Sequence, residues 1–90
     1  MKRRSFAKTR DNNEPEIIKA LKTVGANVKT ADWVDLIVGF RGRNYLIEVK
    51  NPEVAYKIEP SQKELDKNWR GQYDFAFTPT DALRIIGAIE

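Results

Sequence analysis

The sequence contains no cysteine and no histidine. Without thiols it can form no disulfide, thiolate metal site or cysteine nucleophile. Without imidazole it cannot build a zinc finger, a zinc hydrolase, a histidine-based nuclease or a Ser-His triad. Any metal site must be made of oxygen, which points to Mg²⁺, Mn²⁺ or Ca²⁺. No apolar run approaches the ~20 residues of a membrane span, so no membrane partner is expected. The basic N-terminal stretch lacks the apolar core of a signal peptide. With cysteine absent as well, a cytoplasmic, intracellular location is the expectation. At 90 residues the chain is short enough for one domain, and a domain this small gains from oligomerisation. There is no internal repeat or low-complexity segment.

Net charge is +3, but it is unevenly spread. Residues 1–10 hold five positive charges and no acid: Lys2, Arg3, Arg4, Lys8 and Arg10. The other eighty residues carry eleven positive and thirteen negative charges. The division is therefore a basic arm over residues 1–10 and a single domain over residues 11–90. Such an arm suits phosphate binding.

The stretch from Trp33 to Lys50 organises the rest. Two apolar runs flank the basic turn Arg41-Gly42-Arg43, which reads as an antiparallel β-hairpin. Side chains alternate faces along a strand, so Glu48 and Lys50 share one face and Ile47 and Val49 the other. A two-residue Gly42-Arg43 loop would place residues whose numbers sum to 85 opposite each other. Asp35 would then face Lys50. A four-residue loop would set Asp35 opposite Glu48, and a three-residue loop would turn Asp35 to the wrong face. An odd-sum register, with Gly42 opening a II′ turn, is the expectation. It gathers Asp35, Glu48 and Lys50 on one side of the sheet.

Upstream, Asn13 is placed to cap a helix from Glu14 to about Val24, with Pro15 and two acids in its first turn and Gly25 at its end. Ile17, Ile18, Leu21 and Val24 form its apolar stripe. Glu14 falls within that stripe and Glu16 outside it. An acid on a buried face is costly unless something pairs with it. Asn27–Thr30 reads as a short strand. Beyond the hairpin, a loop over residues 51–59 carries Tyr56 and Lys57, candidate contacts to a nucleic-acid backbone. Residues from Pro60 open a second helix, either with Pro60 at the first helical position and Glu59 ahead of it or with Ser61-x-x-Glu64 as a capping box. Gln62, Leu65 and Trp69 should face inward, with Leu65 and Trp69 packing on the sheet. Tyr73–Thr78 reads as a strand. A last helix follows, with Thr80 as cap and Leu83, Ile86 and Ile89 as its apolar face. The order α-β-β-β-α-β-α makes an α/β fold, a mixed four-stranded sheet flanked by helices.

Two converging carboxylates beside a lysine form a recognisable chemical set. Asp35 and Glu48 can hold a hard divalent cation, with the Val49 carbonyl adding a neutral oxygen and Glu14 completing the shell through water or assisting a second ion. Such a cation polarises a phosphodiester and lowers the pKa of bound water. Lys50 can orient that water or stabilise transition-state charge. Gln62 can donate to a phosphate oxygen or hold the attacking water. Arg41 and Arg43, at the hairpin tip, lie roughly 20 Å or more from such a site. Trp33 and Trp69 read as core or rim packing before base stacking or a dimer contact.

These residues, in this order, resemble the PD-(D/E)xK nuclease superfamily. The likeness is strongest to the small virus-type replication-repair (VRR-NUC) nucleases and more distant to archaeal-type Holliday junction resolvases. It runs through Arg10-Asp11-x-x-Glu14, Val34-Asp35-Leu36-Ile37-Val38-Gly39, Leu46-Ile47-Glu48-Val49-Lys50, Pro60-x-Gln62 and Asp81-Ala82-Leu83. Val34 stands where such families often carry proline. The resemblance implies a restriction-endonuclease-like fold and a catalytic set matching Asp35, Glu48 and Lys50, supported by Glu14 and Gln62. The expected activity is a Mg²⁺- or Mn²⁺-dependent endonuclease hydrolysing DNA phosphodiesters, selective for branched, flap or junction structure rather than sequence. A homodimer is expected, since cutting a junction needs two symmetric sites. The likeness also suggests a phage-type replication or repair setting. Two other readings stand beside it: a non-catalytic nucleic-acid-binding or assembly module, and a nuclease subunit active only with a replication or repair partner.

Overall fold

The computed structural model describes residues 12–51 and 60–90. The basic arm, Tyr56, Lys57 and Glu59 lie outside the described residues. The elements are α1 (Glu14–Thr23), β1 (Asn27–Thr30), β2 (Leu36–Phe40), β3 (Arg43–Val49), α2 (Pro60–Asn68), β4 (Tyr73–Ala76) and α3 (Pro79–Ile85). The order is thus α-β-β-β-α-β-α. The sheet runs β1-β2-β3-β4, with the first two pairings antiparallel and β3–β4 parallel. The parallel pair requires a crossover, and α2 lies within it. No helix among the described residues is long and apolar enough to cross a membrane.

One face of the sheet carries the core. Leu36, Val38 and Phe40 of β2 lie beside Tyr45, Ile47 and Val49 of β3 and Ala76 of β4. Ile17 and Leu21, one turn apart on α1, cover them together with Ala82 and Ile86 of the α3 segment. The helix ends are fixed chemically. Gly25, at φ +93°, lets its N–H reach the Lys22 carbonyl while Ala26 N–H reaches that of Leu21. This is a Schellman closure, and Gly87 and Ala88 repeat it after α3.

Several local expectations are corrected. The hairpin loop is Arg41-Gly42, not Gly42-Arg43, and Phe40 pairs with Arg43. Both loop residues have positive φ, 51° and 80°, which is a I′ turn rather than II′. Paired positions therefore sum to 83 instead of 85. A slip of two residues keeps every side chain on its face, so the apolar pattern fits both registers equally. The turn makes the choice. The Arg41 guanidinium lies 4.7 Å from the centre of the Phe40 ring.

The cap of α3 is Thr78, not Thr80. Thr78 is extended (φ −137°, ψ 162°), as a residue before proline must be, and Pro79 takes the first helical position. Thr78 Oγ1 accepts from Asp81 N–H, and the Asp81 carboxylate accepts from Thr78 N–H and Phe77 N–H. β4 accordingly ends at Ala76. Ala82 and Ile86 are the buried residues of this segment, Leu83 is half-buried and Ile89, past the helix end, is exposed. Trp69 lies beyond α2, about half exposed, against Trp33, and it lines a cleft with Asn44 and Leu46 of β3.

Candidate functional site

The opposite face of the sheet is set by the same alternation. Leu46, Glu48 and Lys50 project there from β3 and its end, Tyr73 and Phe75 from β4, and Asp35 from the residue preceding β2. The backbone ladder between β2 and β3 stops at Leu36 and Ile47. Continued by one step, the register sets Asp35 opposite Glu48. There the two carboxylates take over from the ladder. Asp35 N–H donates to Glu48 Oε1 at 3.3 Å, and Val49 N–H donates to Asp35 Oδ2 at 2.8 Å. Each acid is thereby held by an amide of the opposite strand. One such bond does not exhaust a carboxylate, which offers about four lone-pair sites.

Lys50 N–H donates to the Ala76 carbonyl, which fixes the end of β3 against β4. The Lys50 ammonium donates to Gln62 Oε1 at 2.9 Å and lies 5.6 Å from the centre of the Phe75 ring. Gln62 is in the first turn of α2 and half-buried, so α2 approaches the sheet through the inward-facing side chain that its spacing implies.

Asn13 was expected to cap α1. Its backbone is in the αR region and its side chain makes no cap bond. Instead Asn13 Nδ2 donates to the Lys50 carbonyl at 3.0 Å and the Phe77 carbonyl at 2.8 Å. Only the amide nitrogen can meet two carbonyl oxygens, so the orientation of this amide is settled by chemistry. The bond brings the start of α1, and with it Glu14, to the end of β3 where Lys50 sits. Glu16 is exposed, as its place on the helix predicts.

Among the described residues the buried charged side chains are Glu14 (5% exposed), Asp35 (6%), Glu48 (1%) and Lys50 (7%). Three acids and one base thus lie out of water around one end of the sheet. Burying charge costs several kcal/mol per ion unless it is paired or hydrogen-bonded (~, order of magnitude). The amides, Gln62 and the backbone pins described above meet part of that cost.

Tyr73 is a site residue that sequence reasoning missed. Its hydroxyl donates to Glu48 Oε2 at 3.2 Å. Burial, the Glu48 charge and this hydrogen bond, with smaller effects from Asp66 and Asp35, hold the phenol well above its ordinary pKa, so it keeps its proton. Asp74, on the other face, is pushed up by burial and by Asp66. The signal for Tyr73 exists only once β4 is laid parallel to β3: Phe75 then pairs with Glu48 and Tyr73 with Leu46, on the same face.

An open cleft of about 540 Å³ leads from this end of the sheet. Glu48 and Gln62 line it together with Trp33 and Leu65. Trp33 in this cleft lies against Trp69, which lines a neighbouring one with Leu46; their ring centres are 6.4 Å apart and their planes at 44°. Arg41 and Arg43 are exposed at the far end of the hairpin.

The donors around Asp35 and Glu48 are oxygens, which is the chemistry of a hard cation. Val49 meets Asp35 through its N–H. No three acids gather closely enough to ligate one ion among the described residues. Asp35 and Glu48 are the two carboxylates that the backbone holds side by side. Compared with known proteins, the chain matches no family model, no curated protein and no solved structure.

Proposed function

We propose that the chain is a metal-dependent phosphodiesterase acting on DNA, of the PD-(D/E)xK kind its motifs resemble. The observation that carries this reading is the burial, at one end of the sheet, of Glu14, Asp35, Glu48 and Lys50. A purely structural ion pair needs one acid for one base; three buried acids are better suited to a cation.

Asp35 and Glu48 would hold Mg²⁺ or Mn²⁺, with Glu14 and the Val49 carbonyl as supporting oxygens, and the ion would supply a polarised phosphodiester and an acidified water. The protein's own groups do the rest. The opposed amides of Asp35 and Val49 fix the two carboxylates before substrate arrives. Gln62 holds the Lys50 ammonium on the face where charge develops on the phosphate, and its amide NH₂ is a donor suited to a phosphate oxygen. Tyr73 holds the second oxygen of Glu48 and restrains its rotation. With so little surface, recognition would rest on phosphate contacts and DNA shape. The basic arm, Tyr56 and Lys57 are the proposed backbone contacts, and a homodimer would supply the second strand's site.

The test is nicking of plasmid, flap and four-way DNA with Mg²⁺ or Mn²⁺, comparing wild type with Lys50→Ala. Metal-dependent cutting that the variant loses by at least a hundredfold (about 3 kcal/mol in the barrier), with DNA binding kept, supports the proposal. A wild type that binds but never cuts any of the three overturns it in favour of a binding module. Cutting that appears only with an added replication or repair protein identifies a dependent subunit.

A further inference from the structure

Both tryptophans of the chain are in one place, and both are exposed: Trp33 at 52% and Trp69 at 45%. Neither contributes to the buried core. About half of each ring faces water, and together they present a paired aromatic surface suited to an occupant. The placement of Trp69 is also constrained. A Cβ on Gly71 would stand 2.7 Å from Trp69 Nε1, closer than real contacts allow. The indole therefore lies back on a residue with no side chain, and this seat turns it toward Trp33.

The geometry points to an unpaired nucleobase as that occupant, stacked on the Trp33–Trp69 pair beside a phosphate at the Glu48–Lys50 end. This rests on the nuclease reading for the position of the phosphate. Trp33 and Glu48 line the same cleft, so a strand with its phosphate at Glu48 carries a neighbouring base to Trp33. Asp32 and Glu64 also line it, close to the ring. Carboxylates there repel phosphate but accept hydrogen bonds from base N–H groups, so the base and not the backbone fits this end. In a duplex both faces of each base are already covered. Only a flap, a branch or a single strand offers a base for stacking, and the pair would select for such DNA.

Because the chain has no other tryptophan, its indole emission reports on this surface alone. The experiment titrates the full chain with oligothymidylate and with a blunt duplex of equal length, with Ca²⁺ supplied for the acid pair and, in a parallel arm, in EDTA. Trp33→Ala and Gly71→Ala are compared with wild type, each checked for native circular dichroism. Gly71→Ala keeps both indoles but displaces Trp69 from its seat. The expected result is quenching by oligothymidylate and not by duplex, with affinity for the single strand weakened on the order of tenfold in both variants. Duplex binding by anisotropy should be unchanged. Unquenched emission at saturation, or variants that bind the single strand like wild type, overturns the inference. So does a loss of dimer on Trp33→Ala without loss of strand affinity, which would make the pair a contact between copies. Stacking without metal-dependent cutting would refute the nuclease reading and leave this site standing.

Discussion

Replacing Asn13 separates two roles that the sequence alone confounds. Asparagine before Glu14-Pro15-Glu16 has the composition of a helix cap, yet its side chain leaves the helix and donates to two carbonyls on other elements. Asn13→Ala removes both bonds. At about 1 kcal/mol net for each, the loss is about 2 kcal/mol. For a domain of this size that is a fall in Tm of about 8–16 °C. Asn13→Asp discriminates more sharply. Aspartate caps helices as well as asparagine does and suits the positive end of the dipole, so a capping role predicts unchanged or raised stability. A carboxylate cannot donate. Held between the Lys50 and Phe77 carbonyls it faces oxygen on both sides, so the pinning role predicts a loss at least as large as that of Asn13→Ala. Urea denaturation near neutral pH, read by circular dichroism, decides between them. An Asn13→Asp protein with the wild-type midpoint would refute the pin and restore the cap. The outcome bears on function as well, since the same bond brings Glu14 to Lys50.

Two further substitutions test neighbouring claims. Tyr73→Phe should cost about 1 kcal/mol, since its partly exposed hydrogen bond to Glu48 is open to replacement by water. The wild type should also lose stability as pH rises above the ordinary tyrosine value of 10.0, because the folded phenol keeps a proton that the unfolded one releases. Urea midpoints measured across that range should fall more steeply for wild type than for Tyr73→Phe, and parallel curves would count against the contact. Thr78→Ala should lose about 1 kcal/mol through its cap while Thr80→Ala stays within about 0.5 kcal/mol, a comparison that thermal melts resolve. The reverse ranking would return the cap to Thr80.

What the sequence made legible follows period and punctuation. Alternation along 36–49 separates the core face from the site face, and helical spacing alone places Glu14 inward and Glu16 outward, as the structure has them. Register was less legible. A shift of two residues changes no face, so nothing in the apolar pattern could prefer Gly42-Arg43 over Arg41-Gly42. The error was harmless to convergence and decisive for pairing: Asp35 meets Glu48 rather than Lys50. The cap of α3 is legible in the sequence, because proline marks the residue before it as extended, and that residue is Thr78 rather than Thr80. Asn13 and Tyr73 were not legible. Their partners lie 37 and 25 residues away, on elements whose adjacency local pattern does not encode.

The corrected register makes better chemical sense of the site than the expected one. With Asp35 opposite Lys50, the pair would close on itself as a cross-strand ion pair, and Glu48 would be the odd acid. With Asp35 opposite Glu48, like charges face each other across two strands, an arrangement that costs free energy in a sheet. The chain stabilises it by ending the ladder one step early and giving each carboxylate an amide from the opposite strand. Lys50 then reaches α2 through Gln62. On the proposed nuclease reading, two opposed acids held by backbone, with the ammonium fastened to Gln62, would meet a cation and a phosphate already in place. The cost of assembling the charges is met in folding rather than at the moment of binding.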